Sequence, residues 1–275
     1  MHALSALLES SEEFQTILAG LASHGDRLCI EGASGAGKSL LIAGVVRRSA
    51  HPALVIAHNE EHAGRLFDDL TALLADDDLT PVLRYPSITE TLYDGLPGDR
   101  TTLGGRLAAL ERLAQGRKAI VVAAVSAVMH LTVPPERVRQ GLRELAVGAT
   151  VDRDALARDL VALGYERADL INGVGQFSVR GDIVDLFPAG AQDPVRVELF
   201  GDVIDSLRSF DPGSQRSTSS LTAVAFGPAA ELIPDPQALD DGMTRIENAL
   251  AVELRKLRER ERYDEAKRLD EGVRR

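Results

Sequence analysis

The octapeptide GASGAGKS, Gly32 to Ser39, sets a lysine and a hydroxyl directly behind three spaced glycines. Glycines at these positions let the backbone N–H groups of Gly32, Ser34, Gly35, Ala36 and Gly37 turn inward around phosphate oxygens. The ammonium of Lys38 can then reach the terminal phosphates, and the hydroxyl of Ser39 can hold Mg²⁺. The chemistry such a loop performs is capture of a nucleotide, with ATP and Mg²⁺ as the expected cofactors. Turnover asks for more, beginning with a carboxylate at a strand end to complete the metal site. No apolar run of this sequence ends in Asp-Glu, and the best later strand, Ala119 to Val125, runs into Ser126. The expectation is therefore a segment that binds ATP without hydrolysing it, and no catalytic residue is assigned.

A second constellation lies between Tyr165 and Ser217. From Gln176 to Asp182 a polar set (Gln176, Ser178, Arg180, Asp182) alternates with an apolar one (Phe177, Val179), the two-residue period of a half-buried strand. Val195, Val197 and Leu199 then alternate with Arg196 and Glu198, and Gly181, Pro188 to Pro194 and Gly201-Asp202 punctuate the runs. An antiparallel meander follows, with one face packed and one carrying arginines. Composition alone makes that second face a solvated one. His58 to His62, HNEEH, matches the letters of a zinc-binding pattern, but a helix capped at Asn59 leaves His58 outside it, and no third ligand suggests itself.

Positioning the loop requires a strand before it and a helix after it, and Arg27 to Glu31 and Leu40 to Arg48 supply these. Ser10 and Glu13 form a capping box for an earlier helix carrying Phe14, Ile17, Leu18 and Leu21. Beyond the loop, strands at Leu54 to Ala57, Val82 to Tyr85 and Ala119 to Ala123 alternate with helices, separated at one point by a loop from Pro86 to Thr101. That order predicts a parallel sheet covered on both faces up to about Gln140. From Asp235 and Pro236 onward, apolar residues recurring at threes and fours predict one C-terminal helix whose end, RKLRERERYDEAKRLDEGVRR, is laced with ion pairs.

The 275 residues suffice for one large or two ordinary domains. A net charge of -11 argues against broad attraction to nucleic acid by the piece as a whole, though not against a local basic patch. Cys29, the single cysteine, excludes an intrachain disulfide and reads as buried in the run Leu28 to Ile30. No apolar run reaches membrane-spanning length and the N-terminus has no signal-like pattern, so no membrane partner and a cytoplasmic location are expected.

The loop GASGAGKS followed by LVIAHNEEHAGRL resembles the first two helicase motifs of UvrB, a nucleotide excision repair protein. The block LVALGYERADLINGVGQFSVRGDIVDLFP, Leu160 to Pro188, resembles the inserted domain shared by UvrB and the transcription-repair coupling factors, through which both bind UvrA. UvrB carries a long, tyrosine-rich DNA-clamping hairpin where this chain has SITETLYDGLPGDRTTLGGRLAAL, with Tyr93 as its only aromatic residue, and FDPGSQRS also looks like a coupling factor. The intact phosphate loop and Ala57-His58-Asn59 look like UvrB. The resemblance implies an α/β fold: a P-loop, RecA/helicase-like parallel-sheet domain at 1–142, a small antiparallel α+β UvrA-binding domain at 143–228, and a charged C-terminal helix at 229–275 that returns to the first domain. It implies the N-terminal module of a coupling factor that recruits UvrA to stalled RNA polymerase, the parent being an ATP-driven translocase on double-stranded DNA. The alternative is the N-terminal half of UvrB. By motif the UvrA-contacting residues are Arg167, Arg180 and Phe187, expected to share the arginine-bearing side of the meander, although strict alternation sets Phe187 opposite Arg180 unless Gly181 interrupts it.

Overall fold

A computed structural model describes residues 7–22, 27–76, 80–88, 100–231 and 236–273. They divide into two compact units, Met1–Glu231 and Leu232–Arg275.

In the first unit, helices α1 (Glu12–Ala22) and α2 (Ala36–Arg48) precede β1 (Ala53–Ala57), α3 (Glu60–Leu73), β2 (Val82–Tyr85), α4 (Arg100–Ala114), β3 (Ile120–Ala124) and the short helices α5 (Val125–Val128) and α6 (Pro135–Gln140). The strands form a parallel sheet in the order β1-β3-β2, as the alternation predicts. Both faces of β3 are buried, and its residues alternate between two cores. Ile120, Val122 and Ala124 pack with Ala43 and Val46 of α2 and Ala63, Leu66 and Leu70 of α3. Val121 and Ala123 pack with Tyr85 and Ala109 of α4. Asn59 caps α3 by accepting from the His62 amide at 2.8 Å.

Three local expectations need correction. Arg27 to Ile30 forms no strand, and Leu28 and Ile30 are 44% and 48% exposed. Cys29 is accordingly exposed rather than buried. Ser11, not Ser10, caps α1, accepting from the Phe14 amide at 3.2 Å, while the Ser10 hydroxyl donates to the Leu7 carbonyl. The predicted loop Pro86 to Thr101, with Tyr93, falls largely outside the described residues.

The same unit continues with β4 (Arg143–Ala146), α7 (Arg153–Ala162), β5 (Glu166–Arg167), β6 (Gln176–Arg180), β7 (Ile183–Leu186), β8 (Val195–Phe200), β9 (Val203–Phe210), β10 (Ser217–Leu221) and β11 (Ala223–Phe226). The meander is a six-stranded sheet in the order β10-β9-β8-β7-β6-β5, antiparallel except that β5 runs parallel to β6. Gly181-Asp182 and Gly201-Asp202 each make a two-residue hairpin, with Arg180 opposite Ile183 and Phe200 opposite Val203. Only the glycine of each pair has positive φ, 58° and 61°, the pattern of a II′ turn. The inner face, with Phe177, Val184, Leu186, Val197 and Leu207, packs on Leu156 and Leu160 of α7.

The second unit is not one helix but two, α8 (Pro236–Glu259) and α9 (Tyr263–Val273). Leu250 and Leu254 of α8 are buried with Ala266 of α9.

Candidate functional site

The phosphate-loop motif forms an open turn at the start of α2. Gly32 and Gly35 have φ of 84° and 51°, and a Cβ built on Gly32, Gly35 or Gly37 meets nothing within 4 Å. Two of the loop's amides are already engaged, Gly37 donating to the Ser34 carbonyl at 3.0 Å and Lys38 to the Gly35 carbonyl at 3.2 Å. Lys38 is exposed, and Ala36 opens the helix. Ser39 is 0% exposed and its hydroxyl donates to Oδ2 of Asp69 on α3 at 2.7 Å. Thus the loop leaves room and a cation for phosphate, whereas the hydroxyl expected to hold Mg²⁺ is turned into the protein. β3 ends on Ala124 without a carboxylate, and Ser126 of α5 shares a 2.6 Å hydrogen bond with Ser87. These residues fit the phosphates of a nucleotide; as arranged they do not fit its metal.

Sequence reasoning missed a polar cluster at the carboxyl ends of β1 and β2. Glu60, in the first turn of α3, accepts from the Ser87 amide at 2.8 Å and from its hydroxyl at 2.5 Å, and pairs with Arg84. His58 lies before the cap, yet its Nδ1 is 3.0 Å from Nδ1 of His62, so a residue just outside a helix still reaches the first turn. Among the described residues no group of three metal ligands exists, which leaves the zinc pattern without a site.

The antiparallel sheet separates the three residues singled out for docking. Side chains in register share a face, and Arg180 is opposite Ile183, so Asp185 and Phe187 fall on Arg180's side. The two-residue hairpin, rather than a bulge, reconciles Phe187 with Arg180. On this outer face Asp185 is fully buried and serves two arginines. Its Oδ1 accepts from Arg196 Nε at 2.7 Å, and its Oδ2 from Arg196 Nη2 at 2.9 Å and from Arg180 Nη2 at 2.7 Å. Asp185 holds the Arg196 guanidinium above its usual pKa range, against the opposing effect of burial. Arg196 also lies over the Phe210 ring, 4.6 Å from its centroid, and Phe210 packs with Ile171 and Phe187. The Arg180 side chain remains 48% exposed, whereas Phe187 is 7% exposed and sits within the small cluster beneath Arg196.

Arg167 does not join them. It is in register with Phe177 and therefore leaves β5 on the inner, α7 side. The expectation of one face carrying both Arg167 and Arg180 is corrected: the parallel pairing of β5 puts them on opposite faces beside the same sheet edge. The alternation within β6 is visible in the sequence, but the register of a two-residue strand is not.

Residues 144–232 match the UvrB interaction domain. Over 94% of its length the chain is 35% identical to the transcription-repair-coupling factor of Bacillus subtilis, and over 82% it is 37% identical to that of Myxococcus xanthus. Over 91% of its length it is 33% identical to UvrABC system protein B of Chlorobaculum tepidum. It spans only 22%, 19% and 38% of those three proteins. The chain is thus similar along most of its length to transcription-repair-coupling factors and to UvrB, and its residues 144–232 match the UvrB interaction domain within that likeness.

Proposed function

We propose that this chain is the UvrB-like module of a transcription-repair-coupling factor and that it recruits UvrA through the antiparallel sheet, bringing nucleotide excision repair to RNA polymerase stalled on damaged double-stranded DNA. The observation that carries this reading is the half-exposed Arg180, held by buried Asp185 within a UvrB interaction domain. One edge of its guanidinium is fixed and the rest is presented, the arrangement that lets an arginine pair with a partner carboxylate at little entropic cost. Phe187 supports that face from below, and Arg167 approaches the partner around the sheet edge.

The test must respect Asp185. Glutamate at position 180 would set two carboxylates together, whereas Arg180→Gln leaves Asp185 its bidentate bond to Arg196. Arg180→Gln should cut capture of purified UvrA by about tenfold or more, the cost of one charge-assisted contact, with an unchanged melting temperature. Full retention of UvrA would refute the docking role.

The phosphate loop, in a RecA-like domain, takes ATP weakly through Lys38 and the glycine-rich turn, and Mg²⁺ reaches Ser39 only when its bond to Asp69 opens. Without a strand-end carboxylate the segment has no steady turnover. A fluorescent ATP analogue should bind in a manner lost in Lys38→Ala, alongside phosphate release at background level; sustained, Lys38-dependent hydrolysis would contradict this account.

A further inference from the structure

The opposite placement of Arg167 and Arg180 raises the question of what Arg167 serves. A groove of about 390 Å³ runs along the sheet edge between α7 and β5-β6, lined by Asp154, Ala157, Arg158 and Val161 from one side and Arg167, Phe177 and Val179 from the other. The α7 residues recur at threes and fours and so form one stripe. Its floor is apolar, and Val161 stands 57% exposed although it lies on a helix whose other face is buried.

Arginines stand on both sides of the rim. Asp154 is neutralised by Arg153, whose guanidinium Nε and Nη2 both donate to its Oδ1 at 3.1 and 3.0 Å. Arg158 and Arg167 are exposed; the charge of Arg158 helps hold the neighbouring Asp152 carboxyl below its usual range, so Arg167 is the less compensated of the two. The groove thus presents one arginine on each side, Arg158 from α7 and Arg167 from β5, on a chain of net charge -11. The edge is open as well. The carbonyl of Phe177 on β6 accepts from the Ala168 amide at 2.9 Å, and that of Gly181, in the turn after β6, from Arg153 at 2.9 Å. Val179, midway between them, faces the same side, beyond the last residue of β5.

We infer that this groove is a second contact for UvrA, taking a segment in which an aliphatic side chain seats over Ala157, Val161 and Phe177 while flanking carboxylates pair with Arg158 and Arg167. The inference rests on the UvrA reading above. Arg167 thereby contributes from the inner face together with Arg158, because the partner wraps the β6 edge and meets Arg180 on the outer face and the groove on the inner one. An apolar centre ringed by charge is the composition of an energetic hot spot.

Val161→Glu, Arg158→Glu and Arg180→Gln, each in the whole chain, would be titrated with purified UvrA, with thermal melts alongside. All three residues are exposed, so the melts should not move. The inference expects Val161→Glu and Arg158→Glu each to weaken binding by about tenfold or more, as loss of a central contact does, and the Arg158→Glu deficit to shrink at high salt. Wild-type affinity in both, with loss in Arg180→Gln, would remove the groove and leave the outer-face docking intact. Unaltered binding in all three, or no binding of the parent chain to UvrA, would overturn the docking reading and the groove with it.

Discussion

Asp185 shows how one buried carboxylate organises an exposed face. Its side chain is 1% exposed, and the side chains of Arg196 and Arg180 are 15% and 48% exposed. Removing Asp185 or Arg196 leaves the other's charge uncompensated, which is costlier than never having buried the pair at all. Asp185→Asn should therefore destabilise the chain by about 2–4 kcal/mol, somewhat below the range for fully buried pairs because Arg196 retains some water. Urea unfolding of Asp185→Asn, Arg196→Gln and the double variant measures it. The double variant should cost clearly less than the sum of the singles, since each alone strands the other's charge. Additive costs would mean that the two residues act independently. Ser178, in register with Asp185 and only 1% exposed, adds no charge to this array.

At the scale of elements, the most legible features are those with a local cause. Asn59 caps α3, and both Gly-Asp pairs form hairpins, because a cap or a positive-φ glycine acts within a few residues. Parity across the Gly181-Asp182 turn is harder. Counting along the chain sets Phe187 opposite Arg180, but a two-residue turn reverses the strand and restores the face. Arg27 to Ile30 has the letters of a buried strand, yet strand formation depends on a partner edge that no local pattern specifies. The break between α8 and α9 is hidden for a different reason. Glu261 adopts φ 59°, and the Arg262 amide reaches back to the Leu257 carbonyl at 2.9 Å, the long bond of a Schellman cap. Glycine would have announced that turn; glutamate among ion-paired residues conceals it. The gain is tertiary, as Leu257 and Leu269 pack on the Leu250, Leu254 and Ala266 core.

Within the first unit, polar ties from α4 reach the antiparallel sheet and the segment that follows β11. Arg100 pairs with Glu166 and donates to the Val174 carbonyl at 3.2 Å. Arg106, 0% exposed, pairs with Glu231, donates to the Pro86 carbonyl at 2.8 Å and to the Tyr85 hydroxyl at 2.6 Å, and lies 4.0 Å over the Tyr85 ring. The third tie is Glu111, seated so closely against Gly227 that a Cβ there would strike its carboxyl. Burial pushes the Glu111 carboxyl up to about 7 from 4.5, offset only in part by the Gly227 amide. Burial raises the pKa of Tyr165, whose hydroxyl donates to the Gly227 carbonyl at 3.0 Å, and Glu111 adds to the rise.

This tie sets a pH dependence whose sign is opposite to that of an ion-paired carboxylate. A carboxyl whose folded pKa lies above its unfolded value binds its proton more readily in the folded state, so the protonated form favours folding. Its contribution is complete below about pH 4.5, declines as pH rises toward 7, and is gone beyond it. The span from 4.5 to about 7 corresponds to stability on the order of 3 kcal/mol, since each tenfold change in proton affinity is worth about 1.36 kcal/mol. Asp152 and Asp211, whose carboxyls backbone and side-chain hydrogen bonds hold below the usual range, act in the reverse direction at lower pH, so the parent's profile alone is a mixture. The difference between the parent and Glu111→Gln isolates the effect. Glutamine keeps the shape and an acceptor for the Gly227 amide but does not titrate, so its stability relative to the parent should rise from pH 5 through about pH 7 and level off toward pH 8 by chemical denaturation. A difference independent of pH over that range would show that Glu111 ionises freely and that the seam between the two sheets is open to water.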